Sequence, residues 1–191
     1  MNWILASGSP RRRELLEMLG VPDLTIRPAT GPERATPGAG PEQTVRELSL
    51  HKAQEVAQTC APEDIIIAAD TIVYLDGAIL GKPKNHDDAV RMLTALSGRE
   101  HIVYTGVAVL RGGELRQAAE HTAVRFRTLT PAEIERYIAT GEPMDKAGAY
   151  GVQSLGALLV ERIDGDFYNV MGLPVEKLGQ CLTKHFGVRF F

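Results

Sequence analysis

The run Ser7-Gly8-Ser9-Pro10, which follows the short apolar stretch Trp3-Ile4-Leu5-Ala6, leads at once into three consecutive arginines, Arg11, Arg12 and Arg13. Hydroxyls, small residues that let a ligand approach the backbone, and guanidinium forks are the ingredients of a polyphosphate cradle. Leu15, Leu16 and Leu19 recur at helical spacing with Gly20 behind them. The pattern predicts a helix from Pro10 to Leu19 with Ser9 as N-cap and Pro10 in the first position. The arginines then crowd the positive end of a helix, where each costs about 0.3–1 kcal/mol, and a bound anion offsets them. A solvated basic turn is the alternative.

Three further places carry chemistry. Ile65 to Leu75 reads as a β-branched strand with Asp70 near its middle, and a carboxylate inside an apolar strand marks a site or a structural ion pair. Asp76-Gly77 is a two-residue hairpin signal. Pairing Leu75 with Ala78 places Thr71 opposite Lys82 with Asp70 beside it, so a carboxylate and an ammonium are expected to meet at the open end of the hairpin. In a helix predicted from Pro41 to about Gln58, Lys52 shares a stripe with Val45, Leu48, Ser49, Ala53 and Val56. It either snorkels past the core or points into a cleft. From Asp145 to Gly156 glycines alternate with polar groups, as in a loop that wraps a ligand.

The elements that must hold these residues are legible too. Thr30 to Pro41, with Glu33 and Arg34, is a Gly/Pro/Ala-rich loop. A helix opens at Asn85 or His86 and stops at Gly98. His101–Leu110 and Leu115–Phe126 form strands joined at Gly112-Gly113, and Thr130-Pro131-Ala132-Glu133 is a capping box whose helix runs to about Thr140. Ala157 to Ile163 reads as a strand, Asp164-Gly165-Asp166 as a turn, and a final helix ends near Lys184. There is no internal repeat or low-complexity tract.

A chain of 191 residues buries about 70% of its unfolded surface and needs no staple. Cys60 and Cys181 stand outside any C-x-x-C pattern, so neither a zinc site nor a disulfide framework is expected. A formal charge of −3 argues against a nucleic-acid surface and makes the arginine cluster a small-anion pocket. The start lacks a basic n-region and a long apolar core, and no stretch approaches the ~20 apolar residues of a membrane span. A cytoplasmic protein with no membrane partner is expected.

Leu5-Ala6-Ser7-Gly8-Ser9-Pro10-Arg11-Arg12, His51-Lys52-Ala53, Ala69-Asp70-Thr71-Ile72-Val73, Gly81-Lys82-Pro83, Lys146 to Gln153, and Val170-Met171-Gly172-Leu173-Pro174 occur in that order. Together they resemble the Maf family of nucleoside-triphosphate pyrophosphatases across nearly the whole chain. The resemblance implies one α/β catalytic domain over residues 1–191. Its mixed, extended twisted sheet is flanked by helices, as in the Maf and ITPase-like fold, and its two lobes surround a central cleft. It also implies a homodimer, a Mg²⁺ or Mn²⁺ cofactor, and Asp70 as the catalytic carboxylate, acting with Lys52 and Lys82. Glu33 and Asp70 become the metal ligands, the former on a loop that departs from the family's more acidic pattern. Ser7, Ser9, Arg11 and Arg12 bind substrate. Arg11, Thr71 and Gln153 match the members acting on dTTP and UTP, whereas those preferring 7-methyl-GTP carry Trp, Gln and Glu there. Arg and Gln offer partners to the polar edge of uracil or thymine, while a carboxylate suits a cationic methylated guanine. The expected reaction releases pyrophosphate and the nucleoside monophosphate. A pyrophosphatase for modified purine nucleotides and a nucleotide-sensing regulator of septum formation are the alternatives.

Overall fold

Two apolar stretches without polar alternation, β1 (Trp3–Leu5) and the part of β3 (Ile65–Leu75) up to Asp70, are buried residue after residue. That is the pattern of strands covered on both faces. They run parallel, Trp3 opposite Ile65 and Leu5 opposite Ile67. On the other side of β1 lies β2 (Leu24–Ile26), also parallel, reached through α1 (Pro10–Met18). β2 is too short and too exposed to announce itself in the sequence. α2 (Pro41–Ala57) leads into β3 and buries Val45, Leu48, Ser49, Ala53 and Val56, the stripe expected of it. The computed structural model describes all of residues 1–191.

The seven strands form one sheet of order β2-β1-β3-β5-β6-β7, with β4 (Ala78–Leu80) paired to β3. Leu75 pairs with Ala78 as expected, across a turn in which Asp76 (φ 49°) and Gly77 (φ 83°) are both left-handed. The ladder nevertheless stops at Val73 opposite Leu80, short of the strand pairing expected between Thr71 and Lys82. The carbonyl of Gly81 is instead taken by the amide of Gly148 at 3.0 Å, and Pro83 has no amide to continue a strand. β5 (Glu100–Arg111) and β6 (Glu114–Phe126) are joined by Gly112 (φ 56°) and Gly113 (φ 84°). β7 (Val160–Asp164) lies antiparallel on β6. It starts three residues later than the apolar run suggests, because Ser154–Leu159 winds into a 3-10 turn.

α3 (His86–Leu96) is capped by Asn85, whose Oδ1 accepts from the amide of Asp88 at 2.9 Å. α4 (Pro131–Ala139) begins with the full Thr130–Glu133 capping box. A short α5 (Phe167–Met171), not foreseen from sequence, precedes the closing α6 (Val175–Phe186). No helix is long and apolar enough to cross a membrane.

The chain divides into two compact units. The first is Met1–Asp70 with Thr105–Glu120 and Gly172–Phe191, and the second is Thr71–Tyr104 with His121–Met171. The first has a core cluster of Ile4, Ala6, Ala53, Val56, Ile66, Ala68 and Ala108. In the second, Met92, Leu93 and Leu96 of α3 and Ile134, Tyr137 and Ile138 of α4 pack with Val73, Val124 and Phe126.

Within the first unit, Gly106 of β5 lies against the backbone of α2. A Cβ there would stand 2.2 Å from the carbonyl oxygen of Val45 and 2.9 Å from the amide nitrogen of Arg46. Backbone cannot yield as a side-chain tip can, and overpacking costs about 1–3 kcal/mol. Thermal denaturation of Gly106→Ala should therefore show a melting point lower by about 3–8 °C. Gly81→Ala, with nothing within 4 Å of its new methyl, should not lower it.

Candidate active site

Beyond Leu5 the chain leaves the sheet. The amide of Ala6 still donates to the carbonyl of Ile67 at 2.8 Å, and Ser7 to Ser9 then turn into α1. This is the carboxyl end of a parallel strand, where open α/β sheets place their ligands. Ser7 Oγ accepts from the Ser9 amide at 3.3 Å and from Arg12 Nη1 at 3.0 Å, while Arg12 Nε donates to the carbonyl of Gly172 at 2.8 Å. Gly172 has φ 112°, a conformation L side chains rarely adopt, so the Met-Gly-Leu-Pro turn needs this glycine to deliver that carbonyl. Ser9 holds the N-cap position, but its hydroxyl makes no cap bond. The three arginines do not act as one cluster. Arg13 turns outward to Glu17 at 2.6 Å, an exposed pair four residues apart, whereas Arg11 and Arg12 are half-buried. Burial pulls the pKa of Arg12 down; the charge of Asp70 opposes this, Arg11 adds to it, and Glu33 opposes it.

Lys52 does not snorkel past the core: its side chain ends in ion pairs. Its Nζ donates to Asp70 Oδ1 and to Glu33 Oε1, the latter at 2.8 Å. Side-chain exposure is 10% for Asp70, 19% for Lys52 and 63% for Glu33, so the Asp70 pair is the one largely withdrawn from water. The ammonium that meets Asp70 is thus Lys52 and not Lys82, which is exposed beyond the end of the β4 ladder. The loop carrying Glu33 is seated on α2 by two carboxylates that sequence inspection passes over. Glu55 accepts from the amides of Thr30 at 2.7 Å and Gly31 at 3.0 Å, and Glu47 accepts from the amide of Thr36 at 2.7 Å. Those backbone bonds hold both carboxyls below their ordinary pKa. The only signal for them in the sequence is their position on the same helix as Lys52.

The first unit therefore gathers Ser7, Ser9, Arg11, Arg12, Glu33, Lys52 and Asp70, while Thr71, Lys82 and Gln153 belong to the second. Thr71 is half-buried and, as the next strand residue after Asp70, faces the opposite side of β3. Gln153 is half-buried in front of the 3-10 turn Ser154–Leu159. The loop that carries it is anchored by Tyr150, whose ring packs edge-on against Phe126 at 4.7 Å and whose hydroxyl meets His101 Nε2 at 2.8 Å. His101 is buried, its Nδ1 has no hydrogen-bond partner, and burial lowers its pKa to about 4. Burial likewise pushes the Tyr150 phenol up. Nothing in the strand pattern around His101 distinguishes it from an exposed histidine.

The family model described as Maf-like protein matches residues 2–185. A dTTP/UTP pyrophosphatase of Halalkalibacterium halodurans is 50% identical over 188 residues, covering 98% of each chain. A dTTP/UTP pyrophosphatase of Caldanaerobacter subterraneus subsp. tengcongensis is 47% identical over 192 residues, covering all of this chain and 92% of the relative. Among solved structures, a HAM1 protein from Coxiella burnetii superposes with a TM-score of 0.50 at 17% identity, over 96% of this chain and 99% of that one. At that identity the likeness is one of fold.

The histidine anchor has a pH signature. Folded, His101 stays neutral down to about 4, whereas the unfolded chain takes up a proton near 6.5. The unfolded state then binds more protons between these values, so stability is complete above about pH 6.5 and falls as the pH drops toward 4. Urea denaturation at pH 7 and 4.5 should show a loss of about 2–3 kcal/mol from this group, and His101→Gln should remove that part of the slope.

Proposed function

The chain belongs to the Maf-like protein family, and from that membership and the site's geometry we propose that it is a nucleoside-triphosphate pyrophosphatase. It hydrolyses dTTP and UTP between the α and β phosphates, releasing the nucleoside monophosphate and pyrophosphate. The observation that carries the reading is the pairing of Asp70 with Lys52 in the same unit as the Ser7 turn and Arg12. Full-length relatives named for that activity support it. Arg11, Thr71 and Gln153 support pyrimidine over purine nucleotides, since they can serve the polar edge of uracil or thymine.

Asp70 accepts the proton of the attacking water and holds that water in line, a role that needs an acceptor fixed in place, and Lys52 fixes it. Arg11, Arg12 and Lys82 grip the polyphosphate and offset the charge that grows on departing pyrophosphate. Ser7 and Ser9 contribute hydroxyls, and the first turn of α1, which the Ser9 side chain does not cap, contributes backbone donors. Glu33 and Asp70 converge on a single cationic nitrogen, and these two carboxylates would hold a hard divalent ion. Mg²⁺ or Mn²⁺ bound there supplies charge neutralisation and polarisation of the phosphate. The same reading includes a cytoplasmic homodimer that does not engage nucleic acid; sedimentation at micromolar concentration should give twice the 20.8 kDa chain mass.

Pyrophosphate and monophosphate release from dTTP, UTP, dATP and 7-methyl-GTP with Mg²⁺ or Mn²⁺ tests the reading. Turnover should favour dTTP and UTP, and Asp70→Asn should lose about 10²–10⁴-fold in kcat while nucleotide binding persists. Turnover chiefly of a purine overturns the pyrimidine assignment, and an active Asp70→Asn variant removes Asp70 from the mechanism.

A further inference from the structure

Tyr137 and Glu142 lie outside every motif singled out in the sequence, yet the loop that presents Gln153 is built on them. The Tyr137 hydroxyl donates to Glu142 Oε1 at 2.9 Å and accepts from the amide of Gly151 at 3.3 Å. Glu142 Oε1 also accepts from the amide of Gly156 at 3.0 Å, and Oε2 accepts from the amide of Leu155 at 3.2 Å. One phenol and one carboxylate therefore hold both ends of the segment from Gly151 to Gly156. The two ends are pinched together. A Cβ on Gly156 would stand 1.9 Å from the Gly151 carbonyl oxygen and 2.7 Å from the Tyr137 hydroxyl.

Gln153 lies between the pinched ends, and Ser154, which follows it, has φ 56°. That left-handed conformation is costly for a residue with a Cβ and persists only where the surroundings impose it. Here the next two amides, of Leu155 and Gly156, are fixed on the Glu142 carboxylate. The carbonyl of Glu142 in turn accepts from Lys146 Nζ at 2.6 Å, tying the start of the loop to the same residue. The phenol is partly buried, and its pKa is raised, first by burial, so it remains a donor to the carboxylate across the working pH range.

We propose that the Tyr137–Glu142 pair positions Gln153 for the base of the nucleotide, so that both are specificity-determining positioning residues that never touch the substrate. The inference rests on the reading of Gln153 as a base-contacting residue. A positioning defect predicts a particular kinetic pattern: the base is held less well while the phosphate chemistry, served by other residues, proceeds.

The test compares Glu142→Ala, Glu142→Gln and Tyr137→Phe with the unaltered protein, reading kcat and KM for dTTP and dATP together with amide hydrogen exchange at Leu155 and Gly156. Tyr137→Phe removes one hydroxyl and keeps the ring in the core, so it serves where the alanine variant does not fold. In Glu142→Ala and Tyr137→Phe, KM for dTTP should rise about tenfold with kcat held within about threefold, and the dTTP over dATP preference should fall about tenfold. Exchange at both amides should quicken in Glu142→Ala, and Glu142→Gln, which retains an acceptor oxygen, should recover part of each effect. Unchanged KM and preference overturn the proposal, as does a loss confined to kcat or shared equally by both nucleotides. If the unaltered protein releases pyrophosphate from neither dTTP nor UTP, the functional reading fails and takes the specificity role with it. The exchange rates then separate that failure from one of the staple, which falls only if protection at Leu155 and Gly156 survives Glu142→Ala.

Discussion

A carboxylate on a strand that is covered on both faces has to be paired, because an ionised group withdrawn from water without a partner costs several kcal/mol. Asp70 is in that position, the last of an unbroken run of buried residues on β3, and much of the first unit is arranged around its requirement. α2 must present Lys52 inward, which its apolar stripe ensures by packing Leu48, Ser49, Ala53 and Val56 around it. The loop before α2 must bring Glu33 to the same ammonium, and Glu55 and Glu47 hold its backbone while it does so. The exposed Glu33 contact adds little energy by itself; its value is in placing a second carboxylate beside the first.

Two cations of the site, Arg12 and Lys52, are already engaged with the protein. Arg12 is held by a hydroxyl and a carbonyl, and Lys52 by two carboxylates. On the proposed reading, a phosphate arriving there would exchange one set of hydrogen bonds for another, with donors oriented beforehand and a lower ordering cost of binding. Orientation set in advance also suits phosphoryl transfer, where the protein contributes position and charge and little covalent chemistry.

The second unit solves a different problem, that of holding an irregular, glycine-rich segment in one shape. Backbone groups in such a segment cannot satisfy one another as they do in a helix or sheet. Side chains do it instead: Glu142 takes two amides, Tyr137 takes a third, and Tyr150 pins the middle of the loop against Phe126 and His101. Left-handed Gly148, Ala149 and Ser154 mark where the chain is bent to meet those partners.

Periodicity and turn chemistry are local, so the sequence alone determined the elements they govern: the buried strand with Asp70, the inward stripe of α2, the Asp76-Gly77 and Gly112-Gly113 hairpins and the Thr130 capping box. It also placed the Ser7 to Arg12 turn, because strand, small residues and helix follow within a few positions. Tertiary structure decided what depends on distant atoms. Lys52 rather than Lys82 reaches Asp70 because Gly81 gives its carbonyl to Gly148 and the β4 ladder ends early. Arg12 and Arg13, adjacent in sequence, part company because a carbonyl 160 residues away receives one and Glu17 the other. Tyr137 and Glu142 could not be distinguished from ordinary helix and turn residues, since their partners are backbone amides, and amides carry no sequence signature.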